Sequence, residues 1–93
     1  MSSPPRRRVR DISGTLHQLG RLSRERRLAL GLTQRDLADL AGVGVSSVRA
    51  LEGGRETMSL AVTLRICDAL GLALVVAPRP TAPGADAVVL PPR

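Results

Sequence analysis

The sequence predicts a mainly α domain of four helices that ends in a single β-strand. Two observations carry the helices. Apolar residues recur at three- and four-residue steps through four successive stretches, and a glycine closes each stretch. A third observation carries the strand: residues 72–77 are apolar on both alternating faces and are closed by Pro78.

Residues 1–14 contain Ser, Pro and four clustered Arg with little apolar content, so they are expected to form a disordered basic arm. Such an arm is either a solvated tail or a segment laid along phosphates or in a minor groove. The domain proper is expected at 15–77. Its first helix runs from about residue 16 to 30, where Leu16, Leu19, Leu22, Arg26 and Leu30 recur with Arg21, Arg24, Glu25 and Arg27 between them. His17 reads as a surface residue. Gly31 closes the helix.

Thr33-Gln34-Arg35-Asp36 opens the second helix with the spacing of a capping box, although Asp closes such a box less readily than Glu. Leu37, Leu40 and Ala41 form its expected buried stripe, and Gly42 stops it. The third helix spans about 45–52, with Val48 and Leu51 inward and Val45, Ser46, Arg49 and Ala50 outward; Gly53-Gly54 ends it. Two short helices across a Gly-containing turn have the spacing of a DNA-reading helix-turn-helix. Ser59 caps the fourth helix, 60–70, whose inner stripe is Leu60, Leu64, Cys67 and Leu70, widened by Val62 and Ile66.

A lone strand at 72–77 leaves its backbone N–H and C=O groups unpaired and needs a partner. That partner is either the same segment of a second chain or residues 86–90 folding back as a hairpin. Pro78, Pro80 and Pro83 hinder a tight hairpin, which favours the dimer. Residues 78–93 otherwise read as a flexible Pro-rich tail.

Composition removes several function classes. A chain of 93 residues holds one small core at most, built here without Phe, Tyr or Trp. Ring stacking on bases, the usual grip on single strands and RNA loops, is therefore absent. All 14 basic residues are Arg. Nine of them lie in residues 1–35 against two acids, which gives +7, whereas residues 36–93 carry five against six, −1. Arg without Lys is also what a GC-rich genome produces, but base composition does not explain the asymmetry; an electropositive N-terminal half suits a polyanion. Cys67 is the sole cysteine, so no disulfide framework or metal cluster is expected, and it reads as a small core hydrophobe. The sequence offers no nucleophile–base or carboxylate pair, and neither an enzyme nor a cofactor is expected. With no signal-peptide apolar region and no run long enough to span a bilayer, the expected location is cytoplasmic and nucleoid-associated.

Residues 19–76 resemble the XRE (Cro/phage-repressor) helix-turn-helix family. The matching residues are Arg27-x-x-x-Gly31-Leu32-Thr33-Gln34-x-x-Leu37-Ala38, then Ala41-Gly42-Val43, Val48-x-x-Leu51-Glu52-x-Gly54 and Leu70-Gly71. The resemblance implies a lambda-repressor-like bundle. Within the family the ending is similar to HipB-type antitoxins, because Leu64-Arg65-Ile66-Cys67-Asp68-Ala69-Leu70-Gly71-Leu72 runs straight into Ala73-Leu74-Val75-Val76. That narrower likeness implies a homodimer joined through Leu72, Leu74, Val75 and Val76, a HipA-like kinase toxin as partner, and repression of the shared operon.

The family's DNA-facing positions fall here on Thr33, Gln34, Arg35, Gly44, Val45, Ser46, Ser47 and Arg49. Gln34 resembles the glutamine that clamps the DNA backbone, and Arg35 beside it suits a phosphate. Arg49 suits a guanine edge, Val45 a thymine methyl, and Ser46 a base or a phosphate. Arg49 as a phosphate contact or as the partner of a nearby acid remains open. Arg27 and Glu52 resemble an internal ion pair. Gly44 and Val45 stand where the family's reading helix commonly has polar residues, so DNA shape and symmetric half-sites are expected to share in specificity. The expected function is a repressor of double-stranded DNA at a palindromic operator, acting as a HipB-like antitoxin. A stand-alone XRE-family regulator, or an interaction module that has lost DNA binding, are the alternatives.

Overall fold

In a computed structural model residues 11–79 are described, and they form four helices: α1 (Ser13–Ala29), α2 (Gln34–Ala41), α3 (Val45–Glu52) and α4 (Leu60–Ala69). The expected arm and tail, and the hairpin partner at 86–90, lie almost wholly outside the described residues.

All four helices end alike. A glycine with φ near +70° (Gly31, Gly42, Gly54, Gly71) follows each, a backbone conformation that L side chains rarely adopt. Behind it the next N–H reaches back five residues: Leu32 to the Arg27 carbonyl (3.1 Å), Val43 to Ala38 (3.0 Å), Arg55 to Ala50 (3.0 Å) and Leu72 to Cys67 (2.8 Å). These bonds satisfy carbonyls that a helix end would otherwise orphan.

The starts differ. At α2 the capping box is complete. Thr33 Oγ1 accepts the Asp36 N–H at 3.0 Å, and Asp36 Oδ2 accepts the Thr33 N–H at 2.9 Å. Asp is thus long enough to close it. Ser59 caps α4 by accepting the Val62 N–H at 3.3 Å. Ahead of α1, Asp11 Oδ1 accepts the Ser13 N–H at 2.9 Å, and the helix starts three residues before the apolar pattern does. The N-cap of α3 is Gly44, which has no side chain to offer.

The Thr33 backbone and hydroxyl hydrogen bonds hold the Asp36 carboxyl below its ordinary value of 3.8. A carboxylate with a depressed folded pKa contributes stability that is complete above the unfolded value, near 4, and is lost as pH falls through the folded one. Asp36→Ala is therefore expected to be less stable at neutral pH and to lose less stability on acidification than the parent chain. Urea titrations between neutral pH and about pH 3 check this; parallel acid limbs would refute it.

The core is Leu37 and Ala38 of α2, Val48 and Leu51 of α3, and Ile66 with Leu70 at the end of α4. Cys67 is buried among them as a free thiol, and burial pushes its pKa up, which agrees with an inert core residue. Among the described residues every buried side-chain polar atom has a hydrogen-bond partner.

Three expected stripes are corrected. In α1 the buried residues are Gly20, Ser23 and Arg27, with Leu16 and Leu19 half-buried, while Leu22 and Leu30 are exposed. The reason is close approach: a Cβ on Gly20 would lie 2.4 Å from the Leu51 carbonyl oxygen, so α1 meets α3 through small residues. In α2, Ala38 takes the buried place expected of Leu40, which is 64% exposed. In α4, Thr63 and Ile66 point inward while Leu60, 63% exposed, and Leu64 point out. Thr63 tolerates burial because its hydroxyl donates to the Ser59 carbonyl at 3.0 Å.

No strand forms at 72–77 in the single chain. Leu72 is half-buried against the core, whereas Leu74, Val75 and Val76 are exposed, Val76 by 95%. A strand is defined by its partner's hydrogen bonds, and one chain supplies none among the described residues. Leu74 instead borders a furrow against Leu19 and Leu22 of α1, which continues to Leu60 of α4.

Candidate nucleic-acid interface

The α2–turn–α3 unit is held by the left-handed turn at Gly42 and by the burial of Leu37, Ala38, Val48 and Leu51. Those four leave a defined outer face. Thr33, Arg35, Gly44, Ser46 and Arg49 are exposed, while Gln34, Val45 and Ser47 are half-buried. Val45 packs partly against the core, so it is less free to face outward than its place in the pattern suggests. The outer residues except Arg49, which lies in the last turn of α3, fall at the starts of the two short helices, where first-turn N–H groups and the helix dipole favour an anion.

Beneath this face lies an ion pair. Arg27 Nε donates to Glu52 Oε2 at 2.7 Å and its NH2 to Oε1 at 3.1 Å, while NH1 donates to the Leu32 carbonyl at 2.7 Å. Both side chains are at least nine-tenths buried. The carboxylate of Glu52 raises the Arg27 pKa further above its ordinary value, against the opposing cost of burial. The guanidinium thus joins α1, the loop before α2 and the end of α3.

Two contacts extend the pair to the surface, and nothing in the sequence signals them. Gln34 Nε2 donates to Glu52 Oε1 at 3.2 Å, and Arg49 Nε donates to Gln34 Oε1 at 3.3 Å. The first residue of α2 is therefore tied to both the buried carboxylate and the exposed arginine of α3. Among the described residues Arg49 has no salt bridge, and its side-chain partner there is the amide of Gln34. Ser46 and Ser47 also border a shallow recess shared with Ala50, Thr57 and Ser59, which brings two hydroxyls of the α3–α4 connection beside the same face. The sequence pattern gave no reason to place Thr57 and Ser59 there. Among the described residues there is no cluster of side chains suited to a metal ion, and no helix is long and apolar enough to cross a membrane.

This fold and face define a DNA-binding helix-turn-helix protein of the transcription-regulator class. The chain belongs to the helix-turn-helix domain family, whose model matches residues 18–79, and it is of the XRE type. It is 50% identical over 50 residues to an uncharacterized HTH-type transcriptional regulator of Methanothermobacter thermautotrophicus, covering 54% of this chain and 72% of that protein. The crystal structure of the restriction-modification controller protein C.AhdI from Aeromonas hydrophila superposes with a TM-score of 0.58 at 37% identity, over 64% of this chain and 91% of that one.

Proposed function

We propose that the chain represses transcription by occupying a palindromic duplex operator as a homodimer, with α3 of each copy in a major groove. The observation that carries this is the outer face: Arg35 and Ser46 exposed in the first turns of α2 and α3 and Arg49 exposed in the last turn of α3, on a scaffold that uses none of them for burial. Gln34, Arg35 and the α2 N-terminus would grip phosphates, with Thr33 and Ser47 at the edges of the contact. Arg49 would reach a guanine edge, and Gly44, Val45 and Ser46 would pass close to the base pairs.

Dimerisation through residues 72–77 is supported by three exposed apolar side chains in a row, Leu74, Val75 and Val76, on a segment that pairs with no strand among the described residues. Two copies at a fixed spacing would read half-sites about 34–36 Å apart, or a multiple of that. Residues 15–77 are the unit proposed to bind and dimerise, with 1–14 as a basic arm and 78–93 as a tail, in a nucleoid-associated protein.

A salt series of gel shifts with the full chain and its upstream DNA tests the proposal. Affinity should fall by at least an order of magnitude between about 50 and 200 mM salt. Arg35→Ala should weaken all sequences alike, and a charged substitution at Val76 should give monomers by sedimentation and a much weaker shift. A salt-independent shift would remove the DNA reading.

Within this function, the run 64–76 supports a HipB-like antitoxin that binds a HipA-type kinase, whereas a stand-alone regulator fits the family and its relatives equally well. A kinase-like neighbouring gene whose product co-purifies with the chain decides for the antitoxin; its absence decides for the stand-alone regulator.

A further inference from the structure

We propose that Gln34 is a positioning residue for base readout, which turns the end of the Arg49 guanidinium, rather than its side, toward DNA. The inference rests on the reading above that Arg49 meets a base edge. A glutamine amide has one oxygen that accepts and one nitrogen that donates, and its neighbours decide which way it faces. Here a buried carboxylate decides. Glu52 is held against Arg27 at 2.7 Å and has only acceptors, so the Gln34 nitrogen turns toward it, at 3.2 Å. The Gln34 oxygen is thereby directed at α3, where it accepts the Arg49 Nε–H at 3.3 Å.

An arginine offers two forks, one from Nε with a terminal nitrogen and one from the two terminal nitrogens. With Nε engaged by Gln34, only the end fork remains, and two parallel N–H groups match O6 and N7 of guanine. Arg49 is exposed and would otherwise sample many rotamers, so a fixed Nε contact also limits the freedom lost on binding. The polarity of readout thus originates in the buried pair and reaches the surface through one amide.

The test is selection of duplexes from a random double-stranded pool by the full chain and by three variants. Arg49→Ala locates the contact, as the position where guanine preference disappears. Gln34→Met keeps the length of the side chain and the Arg27–Glu52 pair but removes both hydrogen bonds. It should cut the guanine-over-adenine binding ratio at that position about tenfold, beyond any loss shared by all duplexes. In an Arg49→Ala background it should cost no further discrimination. A Gln34→Met protein that binds every duplex more weakly by one factor, with the guanine ratio intact, overturns the inference while base reading by Arg49 stands. If Arg49→Ala changes no preference at any position, base reading by Arg49 fails and this inference fails with it.

Discussion

Glu52→Ala is expected to lose most of the chain's folding stability. It strands the Arg27 guanidinium among α1, the following loop and α3, where its Nε and NH2 have no other acceptor. Gln34 loses an acceptor in the same step. Removing one side of a buried pair costs about 3–5 kcal/mol. Domains of this size are stable by only about 3–10 kcal/mol, so the variant should melt far below the parent and populate unfolded chains at room temperature. The double variant Arg27→Met/Glu52→Leu should recover part of the loss, because no charge is left buried, but not all of it, because the Leu32 carbonyl still loses its donor. Urea unfolding followed by circular dichroism measures both. A Glu52→Ala transition within a few degrees of the parent would mean that the pair is solvated in solution.

Gly20→Ala should also destabilise, against the direction that helix propensity gives. In an exposed helix interior, alanine is worth about 1 kcal/mol over glycine. At Gly20 the added Cβ would sit 2.4 Å from the Leu51 carbonyl oxygen and 2.8 Å from that of Glu52. Both are backbone atoms at the end of α3, so no side chain can swing away to make room. Relief requires α1 and α3 to part, which strains the Arg27–Glu52 bonds that cross the same junction. Overpacking of this kind costs about 1–3 kcal/mol, which outweighs the propensity gain. Gly14→Ala is the control, since nothing lies within 4 Å of a Cβ there. The two alanines should move the melting temperature in opposite directions; a gain at Gly20 would show that the helices separate freely.

These two residues mark where sequence reasoning reached and where it stopped. The ends of the helices were legible because caps are local: Thr33, Ser59 and the closing glycines act on backbone within a few residues. The face of α1 was not, because the pattern was sought in large apolar side chains while the contact with α3 is made by Gly20, Ser23 and Arg27. Ser23 escapes a search for hydrophobes yet is fully buried, its hydroxyl donating to the Leu19 carbonyl at 2.8 Å. Leu40, Leu60 and Leu64 failed for the converse reason, since apolar side chains at helical spacing need not face the same chain's core. Thr33, Gln34, Arg35 and Arg49 could be located from the family pattern, but the chain of bonds through Gln34 joins residues 18 and 15 positions apart and has no periodicity to betray it. The segment 72–77 was legible as apolar and extended-prone. Whether it pairs is a property of two segments, which one segment's composition does not contain.

The anchoring of α3 is lopsided, and this bears on how such a protein diversifies. Its last turn is fastened by Leu51 and Glu52 and pressed against Gly20, whereas its first turn begins at an uncapped Gly44 and carries an exposed Ser46 with no partner holding its side chain. A lineage can therefore alter Ser46 by drift at little cost in stability, while the far end of the same helix keeps the protein folded. Innovation and maintenance are assigned to opposite ends of eight residues.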